Sequence, residues 1–309
     1  MELKKDEKST IKENRMKLIL NDCLELMKDI PEQGGIKLNT IYNEDCLETM
    51  KRMPDNFIDL TVTSPPYNCG KKYSGVSDNL PFDQYWNMVE DWLQELYRAT
   101  KSGGRLAVNL PWWMGKKPRK DVVYKFKTIA MHKGWLFLDK IIWIKGDSNN
   151  VHTSGGYGGN GSGWGTYMSP SGPAIRCASE PILIFAKESR GRKVISGKGN
   201  GDCVKGDMTK DEWMAWTLDV WFLRGESNKA HPAVFPEEIA YRLIKLYSYQ
   251  NDLVYDPFIG SGTTAKMALT THRNFIGSEI SKEYCDIAEN RLKQEPEYVE
   301  IAKARIDSA

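Results

Sequence analysis

No stretch of this chain approaches the ~20 apolar residues that a membrane-crossing helix needs, and its polar, charged N-terminus has no signal-peptide core. A cytoplasmic protein with no membrane partner is therefore expected. Net charge is nearly absent too: 43 Lys and Arg stand against 41 Asp and Glu, leaving +2. Global electrostatics do not announce a nucleic-acid binder, so any such surface must be made by local clustering. The six cysteines (Cys23, Cys46, Cys69, Cys177, Cys203, Cys285) include no Cys-x-x-Cys pair, and the four histidines form no ligand-spaced cluster. The usual zinc patterns are excluded, no metal is expected, and the cysteines read as reduced thiols. The chain shows no internal repeat.

What is present is ordinary globular material: 309 residues, 40% hydrophobic and 27% charged, enough to bury a large core. Residues 1–37 read as an appended helical extension, with Met16, Leu18, Ile19, Leu20, Leu24 and Met27 at rough helical spacing and Pro31 and Gly34-Gly35 as its stop. It packs on the core or on a second subunit, which leaves a homodimer open, or it is a solvated arm. From Leu38 the pattern alternates. Strands are expected at 40–42, 57–63, 105–111, 135–144, 181–187, 252–256 and 274–279, and helices at 45–52, 82–100, 122–132, 236–249 and 263–271. This alternation predicts an α/β fold with a mostly parallel sheet covered on both faces. Two stretches break it. Residues 155–165 hold seven glycines in eleven positions and read as a mobile loop. Residues 187–228 begin with seven Lys/Arg against three Asp/Glu up to Lys210.

Two motifs stand where buried strands open into loops, the edge at which ligands bind in open α/β sheets. One is Thr63-Ser64-Pro65-Pro66-Tyr67-Asn68. The other is Asp256-Pro257-Phe258-Ile259-Gly260-Ser261-Gly262-Thr263-Thr264. A glycine-rich turn between strand and helix admits close backbone approach to a ligand. It is not a P-loop, because Thr263 stands where the lysine should follow, and it is a poor dinucleotide fingerprint, because Ala265 stands at the third glycine. Glu279, at the end of the next strand, is placed to accept hydrogen bonds from ribose hydroxyls. The alternative is a structural turn beside an exposed glutamate.

Together the motifs resemble the S-adenosylmethionine (SAM)-dependent DNA amino-methyltransferases, in the permuted order called the beta group. The resemblance covers about residues 38–293. It implies a permuted Rossmann-like methyltransferase domain with an inserted target-recognition region at about 187–228 and a tail at 294–309. It implies SAM as cofactor, met by Asp45 and Cys46 at the adenine end, by His231, Pro232 and Phe235 at the methionine end, and by Asp256, Phe258, Gly260, Gly262, Thr263 and Glu279 between. For Asp45 a bare helix N-cap is the competing reading.

The implied reaction methylates an exocyclic base amine whose lone pair is conjugated with the ring. Ser64 Oγ and the Pro65 carbonyl are the expected acceptors that draw its hydrogens out of plane. Pro65 and Pro66 stiffen the loop, and Tyr67 stacks on an extruded base. A Pro-Cys dipeptide, the nucleophile signature of ring-carbon cytosine methyltransferases, is absent from the chain. In the family a Ser-Pro-Pro-Tyr loop is commoner among N4-cytosine enzymes than among N6-adenine ones, so N4-cytosine methylation of double-stranded DNA is favoured. Protection of host DNA beside a separately acting restriction endonuclease is the expected role. N6-adenine methylation, an RNA or small-molecule substrate, and a SAM-liganded regulator without turnover stay open. The basic residues expected to meet DNA are Lys71 and Lys72 beside the catalytic loop, Lys116, Lys117 and Arg119 after Trp112-Trp113, and Arg190, Arg192 and Lys193 in the recognition segment. Trp213, Trp216 and Trp221 read as core.

Overall fold

The structure, a computed structural model, describes residues 35–68, 70, 72–73, 76–77, 79–114, 119–146, 166, 168–173, 175, 177–192, 206–224 and 236–294. All but the last three residues of the expected extension lie outside the described residues, as do the glycine-rich loop 155–165 and the tail beyond 294. In chain order the elements are β1 (Thr40–Tyr42), α1 (Cys46–Arg52), β2 (Ile58–Thr63), β3 (Lys72–Tyr73), β4 (Val76–Ser77), α2 (Phe82–Ala99), β5 (Thr100–Asn109), β6 (Trp113–Met114), β7 (Lys120–Asp121) and α3 (Val122–His132). There follow β8 (Trp135–Lys145), β9 (Ser179–Lys187), α4 (Lys210–Trp216), β10 (Val220–Leu223), α5 (Glu237–Tyr247), β11 (Leu253–Asp256), α6 (Thr263–Thr270), β12 (Asn274–Ser278) and α7 (Lys282–Lys293).

Eight strands form one sheet in the order β1-β12-β11-β2-β5-β9-β8-β10. Both partners of β9 run antiparallel to it, and every other neighbouring pair is parallel. Seven strands therefore end at one edge of the sheet, and β9 begins there. All six positions of β2 are buried, as a central strand covered on both faces requires. On one face α2 buries Tyr85, Trp86, Val89, Trp92, Leu93 and Leu96, the helical-period stripe of its sequence. On the other, α5 and α6 supply Ile239, Leu243, Ile244 and Ala268.

Two expectations change. The strand expected from Arg105 starts at Thr100, because Gly103, at φ 74°, lets the chain turn within the strand instead of ending the helix, and the β2–β5 register shifts there. The described second half of the recognition insert joins the main sheet. Residues 206–224 supply α4 and β10, and β10 pairs with β8 as the outer strand of the main sheet. Trp216 and Trp221 are core, whereas Trp213 is 51% exposed, so the third tryptophan departs from the core reading.

Candidate active site

Strand order reverses between β11 and β2: from β11 the chain goes to β12 on one side, from β2 to β5 on the other. This is the topological switch point, where adjacent loops turn apart and leave a crevice. The two motifs open from these two strands, and a hydrogen bond joins them. Thr63 Oγ1 donates to Asp256 Oδ1 at 2.7 Å, and Thr264 Oγ1 donates to Asp256 Oδ2 at 2.7 Å. The Phe258 amide adds a third donor at 3.1 Å. Burial still dominates and lifts the Asp256 carboxyl to about 6. Both Asp256 oxygens thus face protein hydroxyls; its side chain is a clamp between the loops rather than an arm reaching outward.

The Ser64–Tyr67 turn is held from behind. Tyr85 on α2 donates to the Pro66 carbonyl at 2.9 Å, and Asn68, at φ 50°, exchanges hydrogen bonds with the Leu80 backbone at 2.6 and 2.9 Å. Ser64 Oγ lies 2.9 Å from Tyr67 OH. Tyr67 OH in turn meets Asn109 Nδ2 at 2.7 Å and Glu180 Oε2 at 3.3 Å. Asn109 and Glu180 are joined at 2.8 Å, and Lys145 is ion-paired with Glu180 Oε1. Asn109, Lys145 and Glu180 were not singled out from the sequence. They end β5, end β8 and open β9, so only the sheet brings them together. The sole signal was a polar residue bordering an apolar strand, as in Leu106-Ala107-Val108-Asn109 and Glu180-Pro181-Ile182-Leu183.

The second loop carries the features of a nucleotide cradle. Gly260 (φ 51°) and Gly262 (φ 82°) take left-handed backbone that a side chain disfavours. At Gly262 a Cβ would also lie 2.9 Å from the Ala288 Cβ of α7. Glu279 leaves the end of β12 beside them. Its carboxylate accepts from Gly260 N at 3.1 Å and Ser281 N at 2.8 Å, and burial raises its carboxyl above the usual value. Each oxygen retains acceptor capacity for a hydroxyl. Asn43 donates to the Glu279 and Ile280 carbonyls at 2.9 and 3.1 Å, and the half-exposed Ile280 offers an apolar surface alongside. A carboxylate, an open backbone turn and an apolar side chain fit the ribose and adenine of SAM.

Other expected cofactor residues fall around this cradle in different ways. Asp45 caps α1, accepting from Leu47 N at 2.8 Å. The Cys46 thiol is buried in the core, and burial raises its pKa. Phe258 stacks edge-on with Trp92 at 5.6 Å, and the Thr263 hydroxyl accepts from Arg291 at 3.0 Å. His231, Pro232 and Phe235 lie outside the described residues.

Of the basic residues, Lys71, Lys116, Lys117 and Lys193 lie outside the described residues, and Lys72 is described only as part of β3. Arg119 stands between β6 and β7, in the segment that leaves the end of β5, its guanidinium over the Trp113 ring at 4.3 Å. Arg190 and Arg192 lie apart from these. They follow β9, which runs away from the catalytic edge, and so lie at the opposite edge. There the Arg190 carbonyl accepts from Arg105, and Arg192 pairs with Asp252 (Nη2 to Oδ1 2.9 Å) and Asp59 (3.2 Å). Those carboxylates hold the Arg192 guanidinium above its usual pKa against the effect of burial. Arg192 ties strand starts together and does not face the crevice.

A family model described as DNA methylase matches residues 58–290. The chain is 35% identical over 263 residues to the orphan methyltransferase M.BamHII of Bacillus amyloliquefaciens, covering 77% of this chain and 90% of that protein. It is 26% identical to the DNA adenine methyltransferase YhdJ of Escherichia coli, covering 89% and 90%. Among solved structures, the PvuII DNA methyltransferase (cytosine-N4-specific) superposes with a TM-score of 0.61 at 20% identity, over 87% of this chain and 93% of that one. Such a likeness speaks for the fold.

Proposed function

Because this chain belongs to the N6/N4 DNA methylase family and its methyl donor is SAM, we propose that it methylates cytosine N4 within double-stranded DNA. The observation that carries this reading is the Thr63–Asp256 hydrogen bond at 2.7 Å, which seats the Ser-Pro-Pro-Tyr loop against the glycine loop at the switch point. SAM supplies a methyl group already activated by a cationic sulfur, so the protein's task is positioning. Ser64 Oγ and the Pro65 carbonyl accept the two amine hydrogens and free the lone pair. The anchored Tyr67 presents its ring to the extruded base. SAM would supply the methyl as an electrophile, its sulfur keeping the bonding pair; the freed lone pair would form the N–C bond and the nitrogen would then lose one proton to water. Gly260, Gly262 and Glu279 hold the nucleoside end of SAM, with His231, Pro232 and Phe235 at the methionine end.

The serine that opens the motif favours cytosine. The adenine methyltransferase among the relatives keeps N6-adenine as the second reading. Relatives named as type II methyltransferases, such as M.BglII of Bacillus subtilis at 30% identity, support a protective role beside a nuclease. Digesting methylated duplex to nucleosides and weighing the products decides between the readings: N4-methylcytosine is expected, N6-methyladenine would transfer the role to the second reading, and 5-methylcytosine would overturn both.

A further inference from the structure

The polarity of the hydrogen-bond chain behind Ser64 can be worked out from its members. A carboxylate offers only acceptors, so the Asn109 atom 2.8 Å from Glu180 Oε2 must be the amide nitrogen. That same nitrogen lies 2.7 Å from Tyr67 OH and donates its other hydrogen there. The Tyr67 hydroxyl has one hydrogen, and the carboxylate 3.3 Å away can only receive it. The 2.9 Å contact with Ser64 allows either direction; with its hydrogen given to Glu180, Tyr67 meets Ser64 as an acceptor. In that polarity the Ser64 hydrogen goes to Tyr67 and its lone pairs are left for a substrate amine. Glu180 is buried at 5% exposure, with its other oxygen paired to Lys145, so water cannot readily take over its part.

We propose that Glu180 is a positioning residue that sets this polarity, so that Ser64 Oγ meets the substrate amine as an acceptor. The proposal rests on the amine-methylation reading. It differs from it in assigning the direction of the chain to a strand-β9 carboxylate that does not touch substrate. Glu180→Gln would place an amide donor beside Tyr67, turn the Tyr67 hydrogen toward Ser64, and push the Ser64 hydrogen at the amine it should receive.

The test is single-turnover methyl transfer from preformed complexes with SAM and duplex, alongside affinities for each and thermal unfolding. Glu180→Gln should lower the rate at least fivefold with both affinities within twofold of wild type. In a Tyr67→Phe background, where the chain is already cut, the same change should cost less than twofold. In Glu180→Gln alone, Lys145 keeps the Gln oxygen to itself; Glu180→Gln with Lys145→Met frees the oxygen to accept from Tyr67 and Asn109, so the double variant should regain at least half of the lost rate. A smaller loss in Glu180→Gln, a loss that resides in affinity, an undiminished effect in Tyr67→Phe, or no recovery in the double variant with Lys145→Met overturns the proposal. A wild-type enzyme that yields no methylated amine defeats the functional reading instead.

Discussion

In the proposed reaction Ser64 serves the chemical step and Glu279 the binding of SAM. The hydrogen bond from the amine to Ser64 Oγ strengthens as the nitrogen becomes tetrahedral and gains charge. Ser64→Ala should therefore lower the single-turnover rate roughly 10–10²-fold, the worth of a hydrogen bond to a charged group, while SAM and DNA affinity hardly change. Near-normal rates would remove Ser64 from catalysis. Glu279 acts earlier. Its carboxylate is partly buried and already oriented by Gly260 N and Ser281 N. Glu279→Ala should weaken SAM binding by about 1–3 kcal/mol, and Gly260→Asp should weaken it by obstructing the turn. Calorimetric titration reads both, and unchanged affinities would show that SAM does not use this cradle.

The turn between β11 and α6 depends on fits that involve more than one element. At Gly262 the left-handed φ and the approach to Ala288 both oppose a side chain. Gly262→Ala should destabilise the protein by about 2–4 kcal/mol, from backbone strain and overpacking together. Adding Ala288→Gly should recover part of it, less about 1 kcal/mol for glycine inside α7. Urea unfolding of the three variants separates these contributions. Asp256 gives a pH signature. Its carboxyl is lifted by burial from the usual 3.8 to about 6, so the folded state holds the proton more tightly than the unfolded one. Its contribution to stability is then full below about 3.8 and lost as pH rises through about 6. Without cofactor, wild-type stability relative to Asp256→Asn should fall by up to about 3 kcal/mol across that window. A flat difference would mean that Thr63 and Thr264 stabilise the carboxylate fully.

Among the described residues, the proposed site lies at one edge of the sheet. The Ser-Pro-Pro-Tyr loop, the segment after β5 with Arg119, the segments bordered by Gly146 and Ser179, and the glycine loop all leave the same edge. Arg192 sits at the other. Charge reversal should separate the two. Arg119→Glu should weaken duplex binding and flatten its salt dependence, with folding intact. Arg192→Glu should instead destabilise the fold by about 2–3 kcal/mol, since it leaves Asp59 and Asp252 facing a like charge, the group being partly exposed and so worth less than a fully buried pair. Duplex titrations at several salt concentrations, paired with urea unfolding, distinguish the outcomes. A selective loss of DNA binding in Arg192→Glu would return the recognition surface to that edge.

Local chemistry made much of this legible in advance. The strand-forming stretch Ile58–Thr63 before Ser64, the helical stripe of α2 and the glycine turn after Tyr255 each carry their signal within one stretch of chain, and the observed strands and helices follow it closely. The pair of motifs was likewise enough to identify the family. Directions and partners were not local. That β9 runs against its neighbours, and so carries Arg192 away from the crevice, follows from how the chain returns after β8. Trp213 and Trp221 lie in one short stretch, yet β10 joins the sheet and buries only the second. Asn109, Lys145 and Glu180 come from three strands and are 35 to 71 residues apart in sequence, so nothing in their spacing linked them. Side-chain periodicity reports which face of an element is buried; the order and sense of the strands decide which polar ends meet, and here they bring Asn109, Lys145 and Glu180 together behind the Ser64–Tyr67 turn.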